Sequence, residues 1–224
     1  MKINFLKTIL LLILISFNSS LNAETVFFDS KNLKIEEEGN MIYATKGVAK
    51  IPSKNLKIIG DKFIYDKINS ELIIFDNVEY IDNDNKIIIK SQKMIYNELT
   101  NKVFSQSKTF LEFENKYDIR SSDILYDRNF NVISSEKITE IDDKNNNKFL
   151  FKEGLVFNTF SEIISSNKIL IKDQNLNKYF FKNSKLNLKN NEVAGKEVKV
   201  DFVDNFFGNE NNDPILKGSS IVSN

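Results

Sequence analysis

The 224-residue chain contains no histidine, cysteine or tryptophan, and only two prolines and seven glycines. Without cysteine and histidine it has no thiol nucleophile, no imidazole base, and none of the usual ligands of zinc or haem sites. No disulfide can stabilise it. The scarcity of proline and glycine excludes a collagen-like or linker-like stretch of any length. We therefore expect neither a metal nor a cofactor.

The chain also has no excess of charge of one sign, because its 31 Lys and Arg residues equal its 31 Asp and Glu residues in number. Nucleic-acid binding usually leaves a basic footprint, so nucleic acid is not an expected partner. The same balance gives no reason to expect strong attraction to anionic lipid headgroups. What the chain has is 41% hydrophobic residues and 19 phenylalanines, enough for a substantial core.

The N-terminus has the pattern of an export signal. Lys2 and Lys7 precede an apolar run at 8–17, and a short polar segment with small side chains leads to Ala23. A membrane anchor is the alternative, but a span needs about 20 apolar residues and this run is shorter. Residues 1–23 are therefore predicted to be a signal peptide that is cleaved after Ala23.

An internal repeat of about thirty residues follows the signal. An aromatic or aliphatic residue ends a short apolar run, an Asn- and Asp-rich turn follows, and a second apolar run completes each unit. Such turns suit Asn and Asp, whose side chains cap their own backbone. About six units are predicted from regularly spaced markers, 30 or 31 residues apart: Ile35, Tyr65, Tyr96, Tyr126, Phe157 and Leu188.

Within the units, apolar and polar residues alternate with a period of two, which is typical of strands with one apolar face. Short turns favour antiparallel neighbours. We therefore predict an all-β, repetitive antiparallel domain over residues 24–203. Besides Tyr65, Tyr96, Tyr126 and Phe157, the residues expected to face its apolar interior are Leu111, Phe113, Ile169, Ile171, Val198, Val200 and Phe202.

Clusters of carboxylates offer little evidence of catalysis. Glu36, Glu37 and Glu38 would point to alternate faces of a strand, and the segment 82–85 lacks the glycine turn and distal Glu of a calcium loop. No pair of carboxylates stands out as a glycosidase would require. We expect a protein that is not an enzyme. A polysaccharide-active enzyme on a parallel β-helix and a structural surface protein remain the alternatives.

The last segment, 204–224, leaves the alternating pattern. It contains Gly208, Pro214 and Gly218 among several Asn and Asp residues. The sequence predicts a loosely held linker or tail here.

Segments 63–82 (FIYDKINSELIIFDNVEYID) and 42–51 (IYATKGVAKI) resemble the OstA-type repeat of the lipopolysaccharide-transport proteins. The family's Gly-Asn-Val element is only partly kept, and little of it remains after residue 103. The segment 206–218 is similar to the one that joins this domain to a transmembrane barrel in the LptD family of outer-membrane lipopolysaccharide-assembly proteins. The sequence ends at Asn224, before the barrel that follows in that family.

The resemblance implies a V-shaped β-jellyroll at the periplasmic side of the outer membrane, which takes part in lipopolysaccharide transport and outer-membrane assembly. Its apolar trough would receive acyl chains from a periplasmic bridge protein. That partner would pair with the first strands, represented by Val26, Leu33 and Ile35. An outer-membrane lipoprotein would be a further partner if a barrel is present.

Overall fold

The computed structural model describes residues 26–190, 192–203 and 214–223. The predicted signal peptide and its cleavage site lie outside them. The described chain consists of strands and two single-turn 3-10 helices, Glu37–Gly39 and Pro52–Lys54. The strands are β1 Phe27–Glu36, β2 Met41–Ile51, β3 Leu56–Asp66, β4 Glu71–Asp82, β5 Ile87–Asn97, β6 Lys102–Phe113, β7 Tyr117–Asp127, β8 Val132–Ser135, β9 Thr139–Asp143, β10 Lys148–Phe151, β11 Leu155–Asn158, β12 Ile163–Lys172, β13 Lys178–Asn187, β14 Glu192–Asp201 and β15 Ile215–Ser223.

All strands belong to one sheet, in which nearly every strand pairs with its neighbours in the chain. Every pairing is antiparallel, so the predicted fold class is confirmed and a parallel β-helix is excluded for the described residues. β8 and β9 pair with opposite halves of β7, and β10 and β11 both pair with β12. Each of these short pairs is thus one long strand that is interrupted near its middle.

Each thirty-residue unit corresponds to two successive long strands, and the markers lie in one row across the sheet. Tyr65 is opposite Leu72, which is opposite Tyr96, and the row continues through Val103 to Tyr126. Beyond Phe157 the row reaches Ile164 and then Leu186 rather than the predicted Leu188. Leu186-Asn187 repeats the pattern of Phe157-Asn158, an apolar residue followed by Asn. This pattern identifies Leu186 as the last marker.

A crease crosses the sheet near the middle of the strands. Extra residues form bulges at Asp76-Asn77 in β4 and near Ser107 in β6, and the interruption between β8 and β9 comes about thirty residues later. Asp76 and Asn77 adopt positive φ of 60° and 52°. Bulges bend a strand and increase its twist. Repeated at one level, they fold the sheet so that its two halves face each other.

Small residues occupy the crease because there is little room inside a bend. A Cβ added to Gly60 would lie 2.4 Å from Ile74 Cγ2. Elsewhere along the crease, buried hydroxyls bond to one another: Thr109 Oγ1 donates to Ser105 Oγ at 2.8 Å, and Thr139 Oγ1 donates to Ser121 Oγ at 3.1 Å. Buried polar groups need such partners. The crease therefore stays polar without leaving these hydroxyls unpaired.

The C-terminal segment differs from the predicted loose tail. Residues 215–223 form β15, which pairs with β14 from Asp201↔Ile215 to Val193↔Ser223. Pro214 stands just before the strand, where its missing N–H costs no ladder hydrogen bond. The glycines, Pro214 and the Asn and Asp residues suggested a linker, but the apolar pairs Ile215-Leu216 and Ile221-Val222 on either side of Gly218 suffice for an edge strand. Residues 204–213, where the predicted linker begins, lie outside the described residues.

Gly47 offers a test of the tight packing between β1 and β2. A Cβ at this position would lie 2.3 Å from the main-chain oxygen of Asp29, so Gly47→Ala must displace the edge strand β1. We expect it to lower the free energy of unfolding by about 1–3 kcal/mol. Gly218→Ala is the matched control, because its Cβ would meet nothing closer than 3.7 Å and its cost should stay within about 0.5 kcal/mol. Urea denaturation measures both, and equal costs would contradict the packing described.

Candidate lipid-binding interior

The residues predicted to face the interior do so. All are buried except Phe202, which is partly buried and packs against the same core. The buried ones join a single apolar cluster that runs the length of the sheet: Tyr65, Tyr96, Leu111, Phe113, Tyr126, Phe157, Ile169, Ile171, Val198 and Val200. Side chains of the protein itself fill this interior, so the described residues form a packed core and not the open trough that was expected.

The two halves of the folded sheet meet through aromatic rings. Phe28 touches Tyr65 with ring centroids 6.1 Å apart, and Phe113 meets Phe157 edge to face at 5.6 Å. Tyr80 lies 6.2 Å from Tyr96. Edge-to-face and tilted pairs of this kind add to the free energy of burial. Tyr65, Tyr96 and Phe157 belong to the half of the sheet that contains the row of markers, and their partner rings belong to the half on the other side of the crease. These contacts therefore hold the interior closed.

A buried polar cluster interrupts the apolar interior where the ends of several hairpins converge. The Asp82 carboxylate accepts hydrogen bonds from Tyr126 Oη at 3.1 Å and from Arg128 Nε at 2.8 Å. Arg128 Nη2 also donates to the main-chain oxygen of Lys54 and to the Asp84 carboxylate, both at 2.9 Å. These bonds join hairpin ends that lie 44 to 74 residues apart in the chain.

Lys54 extends this cluster to the next unit. Its ammonium group is buried, donates to the Tyr96 hydroxyl at 3.2 Å and to the main-chain oxygen of Glu98 at 3.1 Å, and lies 5.8 Å from the centre of the Tyr96 ring. Tyr96 in turn donates to Asn101 Oδ1. Two predicted lining residues, Tyr96 and Tyr126, thus present their rings to the core and their hydroxyls to this cluster.

Burial shapes the electrostatics of the cluster. Desolvation, reinforced by the charge of Asp82, raises the pKa of Tyr80 and of Tyr126 well above the usual value for a phenol. For Arg128, desolvation opposes the charge, but the hydrogen bond and the charge of Asp82 outweigh it and raise the pKa. Near neutral pH the two tyrosines therefore stay neutral and Arg128 stays charged, as a structural clamp on Asp82 requires.

Sequence reasoning missed Lys54, Asp82 and Arg128. Asp82 was assigned to a turn because it stands in an Asn- and Asp-rich segment, and it is nevertheless fully buried. One available signal was the rarity of arginine, which occurs only at positions 120 and 128. Arginine suits buried pairs because its planar guanidinium can serve several acceptors at once. Within the described residues there is no group of three or more carboxylates that could hold a metal ion.

The sheet has two edge strands, β1 and β15. Leu33 and Ile35 lie on β1 with more than half of their surface exposed, as a partner edge would require. Val26 differs, because it precedes β1 and is buried in the core. Near the other edge strand, β15, an open cleft of about 670 Å³ is lined by Phe202 and Ile215 together with Lys172, Lys178 and Lys199.

No protein-family model matches the chain, and no curated protein matches it significantly. Among solved structures, the chain is similar in fold to the crystal structure of LptH from Pseudomonas aeruginosa, the LptA-homologous periplasmic component of the lipopolysaccharide transport device. The identity is 13% and the TM-score 0.47, and the match covers 51% of this chain and 83% of LptH. A likeness of this size transfers no function. No helix among the described residues is long and apolar enough to cross a membrane.

The two arginines allow a matched test of the buried clamp. Arg128→Met leaves the fully buried Asp82 carboxylate without its main cation, and we expect a loss of about 3–5 kcal/mol in the free energy of unfolding. Arg120→Met removes the 2.9 Å pair with Asp142, which is partly exposed, and should cost less than about 1 kcal/mol. Urea denaturation of both variants checks this, and a loss at Arg128 no larger than at Arg120 would show that the clamp does not stabilise the fold.

Proposed function

We propose that the chain is a component of lipopolysaccharide transport and outer-membrane assembly, whose apolar interior takes up acyl chains delivered by a periplasmic bridge protein. The observation that carries the proposal is the apolar inner face, which extends across the folded sheet from Phe28 in β1 to Val198 and Val200 in β14. The OstA-type repeats and the N-terminal export pattern support the same reading, with the protein acting at the periplasmic side of the outer membrane.

The free energy of the lipid explains why such an interior is needed. At about 0.8 kcal/mol per buried CH₂, one twelve-carbon chain in water costs roughly 10 kcal/mol. A lipid with several chains could not cross an aqueous compartment unprotected. A sheet that offers equivalent apolar sites along its length would let the chains move while they stay out of water.

Because the interior is packed, acyl chains must either part the two halves of the sheet or enter where the halves are least closed. The C-terminal end suits entry or exit. There Phe202 and Tyr179 are only partly buried, and the cleft beside them carries lysines at its rim. Apolar walls next to ammonium groups match an amphiphile whose head carries phosphate.

Two edge strands provide places for partners. Unpaired N–H and C=O groups on an edge can add a strand from another protein. We assign β1, with Leu33 and Ile35, to the bridge protein. An outer-membrane lipoprotein would join if the chain is followed by a barrel. The competing assignment, a structural surface protein, predicts no lipid in the interior at all.

Photo-crosslinking tests the proposal at neighbouring positions that face opposite ways. A photoreactive phenylalanine analogue at Ile169 points into the interior and one at Lys168 points towards the outer face, on the same strand and away from the cleft. In living cells we expect a lipopolysaccharide adduct from position 169 and little or none from 168. Equal yields, or no adduct from any inward position, would leave only a structural role.

The edge assignment has its own test. Leu33→Pro removes a main-chain donor from β1 and should weaken capture of the bridge protein, while Leu33→Lys removes the apolar side chain but keeps the donor. We expect at least a tenfold loss of binding for the proline variant and a smaller loss for the lysine variant, with both folded by circular dichroism. If Leu33→Pro bound the bridge protein as the unmodified chain does, pairing at β1 would be refuted.

A further inference from the structure

Four successive hairpin turns at the marker end of the sheet share an unusual feature, which the first turn at that end, Glu37–Gly39, lacks. Each of the four carries one large apolar side chain at nearly the same position, and all four are strongly exposed: Ile68 by 71%, Leu99 by 75%, Phe130 by 71% and Phe160 by 80%. They are 30 or 31 residues apart, like the markers. We call these four side chains the ridge.

The ridge is a straight row. Its turns join β3 to β4, β5 to β6, β7 to β8 and β11 to β12, which are successive pairs of neighbours in the sheet. Two strand spacings separate adjacent tips, so they stand about 10 Å apart. Main-chain bonds tie each turn to the next, as from Glu98 N to Ser70 O at 2.9 Å and from Thr159 N to Asn131 O at 2.8 Å. The row is therefore held in place by the sheet itself.

The opposite end of the sheet shows that turns in this fold do not need apolar tips. There three successive turns read Asn83-Asp84-Asn85, Glu114-Asn115-Lys116 and Lys144-Asn145-Asn146, all polar or charged, and the next turn, 173–177, carries a single exposed apolar side chain, Leu176. The two ends have the same topology and the same kind of turn, so backbone geometry cannot explain the difference. The apolar residues at one end add nothing to the core, and their exposure points to a surrounding that is not water.

We propose that the ridge is a membrane-docking surface that inserts its four tips into the interfacial region of a lipid bilayer. A lipid surface accommodates a convex row of side chains, whereas a protein partner would need a groove of complementary shape. The ridge is also small for a protein interface. At roughly 150 Å² for each side chain it offers about 600 Å², below the ~800 Å² per partner of a stable complex.

The ridge turns, like turns at the opposite end of the sheet, keep main-chain donors bonded to side chains. In each one a side chain at its start accepts a hydrogen bond from a main-chain N–H near the tip, for example Asn69 N to Asp66 Oδ1 at 3.0 Å and Thr100 N to Asn97 Oδ1 at 2.9 Å. The corresponding bonds in the other two turns are Asn129 N to Asp127 Oδ1 and Ser161 N to Asn158 Oδ1. Donors that are already bonded lower the cost of leaving water.

Charge at the ridge indicates which bilayers it should bind. The four turns contain two cations, Lys67 and Arg128, and two anions, Glu98 and Glu162, and Lys189 of the next turn lies over the Phe160 ring. Because these charges nearly cancel, they give little preference for anionic headgroups, and apolar insertion must provide most of the affinity. Binding should therefore occur on zwitterionic vesicles and change little with salt.

The absence of tryptophan from the chain makes insertion directly observable. Phe130→Trp places a single indole on the ridge, and Ile138→Trp places one on an exposed apolar site near the crease, away from the ridge. With phosphatidylcholine vesicles, we expect the emission of the ridge indole to shift to the blue and that of the control to stay unchanged. A retained signal peptide could bind vesicles, but it would leave the ridge indole in water.

A second variant tests whether the ridge accounts for the affinity. Replacing Ile68, Leu99, Phe130 and Phe160 together by serine should reduce vesicle flotation at least tenfold without lowering the melting temperature, whereas Ile138→Ser, exposed but off the ridge, should change neither. The proposal fails if the ridge indole does not shift, if both indoles shift alike, or if the serine variant floats as well as the unmodified protein. A blue shift that grows with protein concentration without vesicles would assign the ridge to a second copy of the chain.

Discussion

The whole architecture depends on the requirement that every strand bends at the same level. A single sheet with one apolar face can bury that face only against another layer, and here the other layer is the second half of the same strands. The bulge at Asp76-Asn77, its counterpart near Ser107 and the interruption after Ser135 meet this requirement in successive units. If one strand ran straight through this level, its outer half would leave the core and uncover the neighbours on both sides.

The crease also decides where polar groups can be tolerated inside. Hydroxyls at the bend satisfy one another, and the Asp82–Arg128 clamp satisfies a carboxylate at the hairpin ends. Between these two levels the interior is apolar throughout. Polar groups therefore mark the limits of each half of the sheet, and the acyl-binding region proposed here lies between them. The ligand specificity of such an interior depends on where polar groups limit the apolar surface as well as on how far that surface extends.

The strands, their antiparallel order and the inward direction of the markers could be predicted from the sequence, because a period of two and a period of about thirty are both local signals. The crease could not, because bulges such as the one at Asp76-Asn77 look like ordinary turn chemistry in one dimension. The same ambiguity hid Asp82, whose burial depends on Arg128 from another unit. β15 was missed because its short apolar pairs carry too weak a pattern to outweigh Gly218, Pro214 and the Asn and Asp residues.

The meander order has a consequence for how the chain reaches this structure. Nearly every strand pairs with the strands next to it in sequence, so most backbone pairing closes only short loops, and loop closure costs little conformational entropy when the loop is short. Hairpins can add one after another as the chain emerges, much as in linear repeat proteins. The clamp at Arg128 reaches back to Lys54 and can form only after several hairpins are in place. Its formation would therefore report that the strands from β3 to β7 have assembled.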